Sequence, residues 1–241
     1  FNNLFMNIAE QMGLRLQNTA YSVNIKERLD FSCALFDGQG QLIANAPHMP
    51  VHLGSMSESI RSVIERNPEM RPGDVYVLND PYHGGTHLPD ITVVTPVFDD
   101  AGKAVLFYVA CRGHHADIGG LAAGGISSAA TEIYQEGLVF PAIKLVEGGR
   151  RNQAVEDIIR VNVRDPQSTM GDIGAQLHQR GRTVPVHHAT VGDTPAAPRH
   201  EACAVRCPPR HRGGQPRVHH EAVGDNPVSR SEEHTSELQS H

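Results

Sequence analysis

Two short polar segments hold most of the side chains in this sequence that could do chemistry. Residues 79–90 read NDPYHGGTHLPD, and residues 112–120 read RGHHADIGG. Imidazole and carboxylate groups together suit a divalent cation such as Zn²⁺, Mn²⁺ or Fe²⁺. Glycines in both segments permit positive φ angles and a close approach of the backbone to a ligand. The two segments are therefore the candidate site of the protein.

A metal site with three protein ligands can be assembled from the two segments. His87 and Asp90 would supply two ligands, and either His114 or His115 would supply the third. Three protein ligands leave an open coordination position for water or substrate, which a catalytic site needs. His-x-x-Asp and His-His are each weak signals, and solvated loop histidines beside ordinary turn residues are the alternative. The spacing leaves open which histidine is the third ligand.

Further residues are candidates for the chemistry around such a cation. His115, if His114 is the ligand, and Asp117 are predicted to act as general acid and base or to orient a ligand imidazole. His52 and His83 are predicted to contact the substrate. For His52 a satisfied histidine of the core or of a loop is the competing interpretation. The cation would polarise a carbonyl or make a bound water acidic.

The two polar segments are predicted to meet because they lie at the open end of one hairpin. Residues 91–98 and 104–110 are apolar and flank the turn sequence DDAG at 99–102. If these strands pair, the second runs back along the first. The residues after Ala110 then lie beside the residues before Ile91, which brings the histidines of both segments together.

The rest of residues 1–177 reads as a mixture of paired strands and separate helices. Apolar residues recur every three or four positions in the predicted helices, and short apolar runs bounded by turn residues mark the strands. This mixture predicts an α+β fold, with a mixed or antiparallel sheet, hairpins and flanking helices. The predicted helices cover 2–17, 55–66 and 154–163, the predicted strands cover 31–36, 42–46, 75–78, 91–98 and 104–110, and a glycine-rich loop covers 113–125.

The composition limits the class of protein. The chain has 241 residues, a formal net charge of −6 and 39% hydrophobic residues, which is ordinary for a globular protein and argues against a general nucleic-acid binder. No apolar run is long enough to span a bilayer, so we expect no membrane partner. The four cysteines form no metal-site or disulfide pattern, which favours a reducing, cytoplasmic setting.

The composition changes near the C-terminal end. Between His178 and Glu237 the sequence has no Leu, Ile, Phe, Met or Tyr, so this part cannot bury enough apolar surface to offset the entropy of ordering. Residues 230–241 resemble the translation of a sequencing adapter. We therefore divide the chain into residues 1–177, which we expect to fold, and residues 178–241, which we interpret as a disordered tail of frameshifted and adapter-derived origin.

Several segments of residues 1–177 resemble the hydantoinase B/oxoprolinase family. The longest is the segment at 79–90, and family sequences often have Ala where this chain has Gly113. His83 stands where other residues are common, but neither departure removes a proposed ligand. Because family members are several hundred residues long, the chain resembles an N-terminal piece of the catalytic subunit. The other matching segments are TAYSVNIKER at 19–28, DFSCALF at 30–36, PHMPVHLGS at 47–55, HHAD at 114–117 and EIYQEG at 132–137.

The resemblance implies a function and a partner. Family members hydrolyse cyclic amides such as 5-oxoproline or N-methylhydantoin with ATP, and a hydantoinase A-like subunit or domain binds the ATP and activates the ring carbonyl by phosphorylation. The related alpha subunits of acetone and acetophenone carboxylases, which join an activated ketone to a carboxyl donor, give the alternative. In those relatives a His-x-x-Asp and a downstream His hold a divalent metal, which implies His87, Asp90 and His114 here, with His115 as the close competitor of His114. An inactive truncated fragment is the third interpretation.

Overall fold

The computed structural model of the chain describes residues 2–46, 49–124 and 127–178. The predicted frameshifted tail begins at His178, so all of it beyond that residue lies outside the described residues. Within the described part, no helix is both long enough and apolar enough to cross a membrane.

The described residues form a seven-stranded sheet flanked by helices. Every pair of neighbouring strands is antiparallel, and the strand order is β2-β1-β5-β4-β3-β6-β7. This confirms the predicted α+β fold with an antiparallel sheet. The helices are α1 (Asn2–Thr19), α2 (Val23–Lys26), α3 (Pro50–Arg66), α4 (Gln153–Asn162) and α5 (Pro166–His178), and the strands are β1 (Phe31–Asp37), β2 (Leu42–Asn45), β3 (Val75–Leu78), β4 (Asp90–Phe98), β5 (Val105–His114), β6 (Ile143–Glu147) and β7 (Arg150–Arg151).

Each face of the sheet has its own apolar layer, because successive side chains of a strand point to opposite faces. One layer lies on the face that α1 and α5 cover, and the other lies on the face under α3. From Asp90 to Val97 in β4 and from Phe107 to His114 in β5, even-numbered residues therefore face α3, and odd-numbered residues face the layer under α1 and α5. Examples from the α3 side are Ala34, Phe36, Ile60, Val94, Tyr108 and Ala110, and examples from the other side are Leu16, Cys33, Val93, Cys111 and Ile173.

The hairpin of β4 and β5 is longer than the sequence predicts. β5 continues past Ala110 to His114, so the first two residues of the predicted glycine-rich loop, 113 and 114, belong to the strand. The register pairs Asp90 with His114 and Thr92 with Arg112. Polar side chains of both segments therefore sit on strands, where the sheet fixes their positions.

α2, β6 and β7 lie where no element is predicted, and α3 and α5 also differ from the predictions. α3 begins at Pro50 instead of Ser55, because proline is favoured in the first turn of a helix, where its missing N–H costs nothing. α5 is also not predicted, although its sequence PQSTMGDIGAQLH places Met170, Ile173 and Leu177 on one helix face among polar residues and glycines. It is nevertheless largely buried, and its polar residues find partners in the rest of the fold.

One buried carboxylate joins β3 to the turn between β6 and β7. Asp74 is fully buried and accepts hydrogen bonds from the backbone N–H of Gly148 at 2.9 Å and of Arg71 at 3.1 Å. It also accepts one from the Tyr76 hydroxyl at 3.2 Å and pairs with the Lys144 ammonium at 3.1 Å. Burial alone would raise the pKa of Asp74, but these hydrogen bonds and the ammonium outweigh it and lower the pKa.

We expect Asp74→Ala to lower the free energy of unfolding by about 2–4 kcal/mol near neutral pH, because it leaves buried donors without an acceptor. Since the folded state lowers the pKa, the contribution of Asp74 is present above the ordinary carboxyl pKa of about 4 and is lost as the pH falls below it. Urea unfolding at neutral and at acidic pH measures both effects. The control is Glu147→Gln, an exposed partner of the same Lys144, and equal losses in the two variants would contradict the prediction.

Candidate functional site

The centre of the candidate site is the pair formed by Asp90 and His114 at the open end of the β4–β5 hairpin. The two residues are register partners, and both face α3. Asp90 Oδ1 lies 2.7 Å from His114 Nδ1. Because an ionised carboxylate can only accept, His114 Nδ1 donates this hydrogen bond. The predicted convergence of the two polar segments is therefore present in the fold.

His87 reaches the same carboxylate from the turn that precedes β4. The N–H of Asp90 donates to the carbonyl of His87 at 2.9 Å, which closes the His-x-x-Asp segment into one turn. His87 Nδ1 lies 3.0 Å from Asp90 Oδ2, and its backbone N–H donates to the same oxygen at 3.2 Å. The Thr86 hydroxyl also contacts Oδ2. We call Asp90, Thr86, His87 and His114 the Asp90 cluster.

Asp90 is charged throughout the physiological pH range. Its side chain is only 1% exposed, and burial alone would raise its pKa. The hydrogen bonds from His114 and Thr86 and the charge interaction with His52 outweigh burial and hold the pKa of Asp90 well below its usual range. The hydrogen bond to Asp90 in turn raises the pKa of His114. A permanent carboxylate between imidazoles is chemically suited to bind a cation.

His52 lies on the buried side of the Asp90 cluster. It belongs to the first turn of α3, which places Nε2 at 3.8 Å from Asp90 and at 3.6 Å from Asp30. Its Nδ1 lies 3.3 Å from the Ser32 hydroxyl. Burial lowers the pKa of His52, which favours the neutral imidazole. Since His52 is 2% exposed, the predicted contact with substrate stays a prediction, and its observed contacts are with the cluster and with β1 and its neighbouring turn.

His83 is the predicted substrate contact that solvent reaches. It ends a short 3₁₀ turn, Pro81–His83, and its side chain is 56% exposed. Its Nδ1 lies 2.7 Å from Asp80 Oδ2, so the carboxylate orients the ring. Gly84, which follows with a φ of 91°, packs so tightly on α3 that an added Cβ would lie 2.6 Å from the Ser59 nitrogen. The turn is therefore held firmly while the His83 imidazole stays accessible.

His115 is separated from the cluster by the alternation of β5. It follows His114 and enters the opposite face of the sheet, where it is wholly buried. Its Nε2 lies 2.9 Å from Oε1 of Gln176 in α5, and Gln176 donates to the carbonyl of Ile91 at 2.9 Å. The structure thus brings His114, not His115, to Asp90. This position of His115 does not favour the predicted role in acid–base catalysis.

Asp117 also lies apart from the Asp90 cluster. It pairs with Arg164 Nη1 at 3.0 Å and accepts the Gly119 N–H at 3.0 Å. The Thr169 hydroxyl donates to the Asp117 carbonyl at 3.0 Å. These contacts fix the chain between β5 and α5, so in this fold Asp117 has a structural position, and its predicted catalytic role gains no support from the contacts.

Arg112 is a buried residue of the site that the sequence analysis did not single out. Burial lowers its pKa to about 10, so it keeps its charge at neutral pH. It contacts the side chains of Thr92, Ser55, Ser59 and Thr86. The two-residue period along β5, which puts Arg112 on the same face as His114, is the sequence signal that could have found it.

The donor chemistry of the cluster fits a divalent cation. Adjacent ligands of an octahedral ion with bonds of about 2.1 Å are about 3 Å apart, and Asp90 lies 2.7 Å from His114 and 3.0 Å from His87. As they stand, however, no three His, Cys, Asp or Glu side chains in the described ranges are placed to hold a metal ion. Each of the two distances is therefore compatible with a shared cation, but the three side chains together do not form one set of ligands in this arrangement.

A comparison with known families decides what kind of protein carries this site. The family described as Hydantoinase B/oxoprolinase matches residues 1–183, most of the chain. The chain belongs to this family. Membership agrees with the resemblance stated from the sequence segments, and the hydantoinase B/oxoprolinase match includes both polar segments of the site.

Relatives within the hydantoinase B/oxoprolinase family include proteins named as a 5-oxoprolinase and as a putative hydantoinase subunit. The chain is 57% identical over 150 residues to 5-oxoprolinase 1 of Arabidopsis thaliana, a match that covers 62% of this chain and 12% of the relative. It is 37% identical over 177 residues to the B-type component of a putative D-/L-hydantoinase from a Pseudomonas species, covering 71% of this chain and 30% of the relative. The chain also spans only a part of other curated relatives, namely 31% of one and 13% of another.

Two solved structures share the fold of this hydantoinase B-type chain. One is the ATP-dependent caprolactamase from Pseudomonas jessenii, with a TM-score of 0.67 and 34% identity over 72% of this chain and 30% of that chain. The other is nucleotide-free acetone carboxylase, with a TM-score of 0.67 and 18% identity over 73% of this chain and 23% of that chain. At 18% identity the second comparison shows the fold alone.

Proposed function

We propose that this chain is part of a metal-dependent enzyme that hydrolyses a cyclic amide of the 5-oxoproline or hydantoin type with consumption of ATP. It acts as the B-type component, and an A-type subunit or domain binds the ATP. The observation that carries the proposal is that His87 and His114 both contact the buried carboxylate of Asp90. Its support in the comparisons is that relatives are named as a 5-oxoprolinase and as a putative hydantoinase component.

His87, Asp90 and His114 would hold the divalent cation, whether Zn²⁺, Mn²⁺ or Fe²⁺. When bound, the cation would polarise the amide carbonyl and make a water molecule more acidic. Asp90 provides the fixed negative charge, and the hairpin register holds His114 against it. His83, whose ring is exposed and oriented by Asp80, would form a hydrogen bond with the polar part of a ring substrate.

A chimera tests this proposal. Residues 2–178 of this chain would replace the matching part of 5-oxoprolinase 1 of Arabidopsis thaliana, because the chain spans only a small part of that relative. We expect ATP-dependent opening of 5-oxoproline, loss of turnover after treatment with a chelator, and recovery when Zn²⁺, Mn²⁺ or Fe²⁺ is added back. Turnover that survives complete metal removal would contradict the metal site, and absence of ring opening with a folded chimera would contradict the activity.

A ketone carboxylase is the second candidate function, because acetone carboxylase shares the fold with a TM-score of 0.67. Bicarbonate-dependent consumption of acetone or acetophenone would favour it over ring opening. We expect the 241-residue chain alone to be inactive in both assays, since it spans about a third or less of its relatives.

A further inference from the structure

We infer that Thr86 is a positioning residue whose hydroxyl, held by the buried Arg112, orients Asp90. The inference rests on the proposed function in so far as Asp90 is a metal ligand. Arg112 itself does not touch the cluster carboxylate, since its contacts with the cluster pass through Thr86. The Thr86 hydroxyl, which Arg112 holds in place, therefore fixes the orientation of the Asp90 carboxylate.

All donors of Arg112 are already used. A guanidinium has five N–H groups, and the structure gives them six acceptors. Nε donates to Thr92 at 2.7 Å, Nη2 donates to Ser59 at 2.7 Å and to the Gly84 carbonyl at 2.9 Å, and Nη1 faces Ser55, Thr86 and the carbonyl of His52. Because none of these acceptors is a carboxylate and none of the donors is left over, a substrate anion has no place on Arg112.

The direction of the hydrogen bonds follows from the chemistry of the partners. Arginine can only donate, so the Thr86 oxygen accepts from Nη1 across 3.4 Å. The Thr86 hydroxyl hydrogen is then directed at Asp90 Oδ2, which as part of an ionised carboxylate can only accept. Oδ2 is thereby held by the Thr86 hydroxyl and by the His87 N–H. The other oxygen, Oδ1, is turned towards His114.

Arg112 also joins the elements that surround the site. Its contacts tie α3, through Ser55 and Ser59, to the segment 79–90, through Gly84 and Thr86. A buried cation without a direct carboxylate partner is costly. The Asp90 carboxylate, which lies one hydroxyl group away from the guanidinium, offsets part of that cost through its opposite charge. The two opposite charges with Thr86 between them therefore stabilise one arrangement of the site.

The test uses Thr86 variants of the 241-residue chain with ¹⁵N-labelled histidine. At alkaline pH the imidazole of His114 is neutral, and NMR of its ring then reports whether the proton is on Nδ1. In a second measurement, added Mn²⁺ broadens the His114 signals only when it binds nearby. We expect Thr86→Val to weaken the preference for the Nδ1-protonated tautomer and to raise the half-broadening Mn²⁺ concentration by roughly 10- to 100-fold. Thr86→Ser, which keeps the hydroxyl, is expected to restore both readouts.

Thr92→Val is the matched control, because it removes the same kind of acceptor from Arg112 without a link to Asp90. It should lower thermal stability and leave both His114 readouts unchanged. Equal effects of Thr86→Val and Thr92→Val, or no effect of Thr86→Val, would overturn the inference. A tautomer change in Thr86→Val without Mn²⁺ broadening in any variant, the parent chain included, would support the positioning role and would count against the metal site of the proposed function.

Discussion

Asp90→Asn is expected to lower kcat/KM for ring opening in the chimera by roughly a thousandfold, because the loss of several kcal/mol of electrostatic stabilisation corresponds to that factor. The amide has nearly the shape of the carboxylate but lacks its charge, and Asp90 is ionised, 1% exposed and flanked by His87 and His114. The measurements are the steady-state rate with 5-oxoproline and ATP and the metal content of the purified protein.

The control for Asp90→Asn is Asp157→Asn, which makes the same chemical change on the exposed part of α4, where Asp157 bonds only to Gln153 among the described side chains. It should leave the rate and the metal content unchanged. If Asp90→Asn has the same metal content and the same turnover as this control, Asp90 is not part of the active site.

Asn79→Ala is expected to lower the free energy of unfolding by about 3 kcal/mol or more. Asn79 is fully buried, and its amide donates to the carbonyls of Leu88 at 2.7 Å and Leu138 at 2.8 Å. Its Oδ1 accepts the Phe140 N–H at 2.7 Å. Truncation would leave these three buried groups without partners, at roughly 1–3 kcal/mol for each. Urea unfolding measures the loss.

The same substitution should loosen the site, because Asn79 fastens the segment 79–90 to the chain at 138–140. The comparison variant is Asn162→Ala, an exposed amide whose bond, at 2.8 Å, stays within α4, and it should change stability by less than about 0.5 kcal/mol. Similar stabilities of the two variants would show that the Asn79 bonds contribute little to the fold.

The meeting of the two polar segments was predictable because it depends on local information. The turn at 99–102 and the apolar runs on either side predict a hairpin, and the hairpin places Asp90 beside the histidines. The choice between His114 and His115 was also within reach, since the alternation of β5 sends them to opposite faces. The spacing leaves this choice open because the predicted strand ends at Ala110, whereas the family resemblance implies His114.

Other features depend on residues far apart in the chain, which no local pattern reports. His115 meets Gln176, and Tyr21 donates its N–H to Asp172 at 2.6 Å, so polar contacts with distant residues hold α5 in addition to the apolar packing of Ile173 and Leu177. Arg112 follows the predicted strand 104–110 in the sequence, and it is buried in the fold because Ser55 and Ser59 of α3 cover it. The positions of α5 and of Arg112 therefore depend on tertiary contacts that the local sequence does not reveal.

The strict pairing of β4 with β5 restricts how the length of this region can change over evolution. Removing one residue from 107 to 113, beyond the bulge near the turn, would shift every later side chain by one position. His115 would then take the place opposite Asp90, and the present His114 would face the apolar layer under α1 and α5. Insertions and deletions between relatives should accordingly gather in the connecting loop at 99–104, far from the cluster, while the arms of the hairpin keep a constant number of residues.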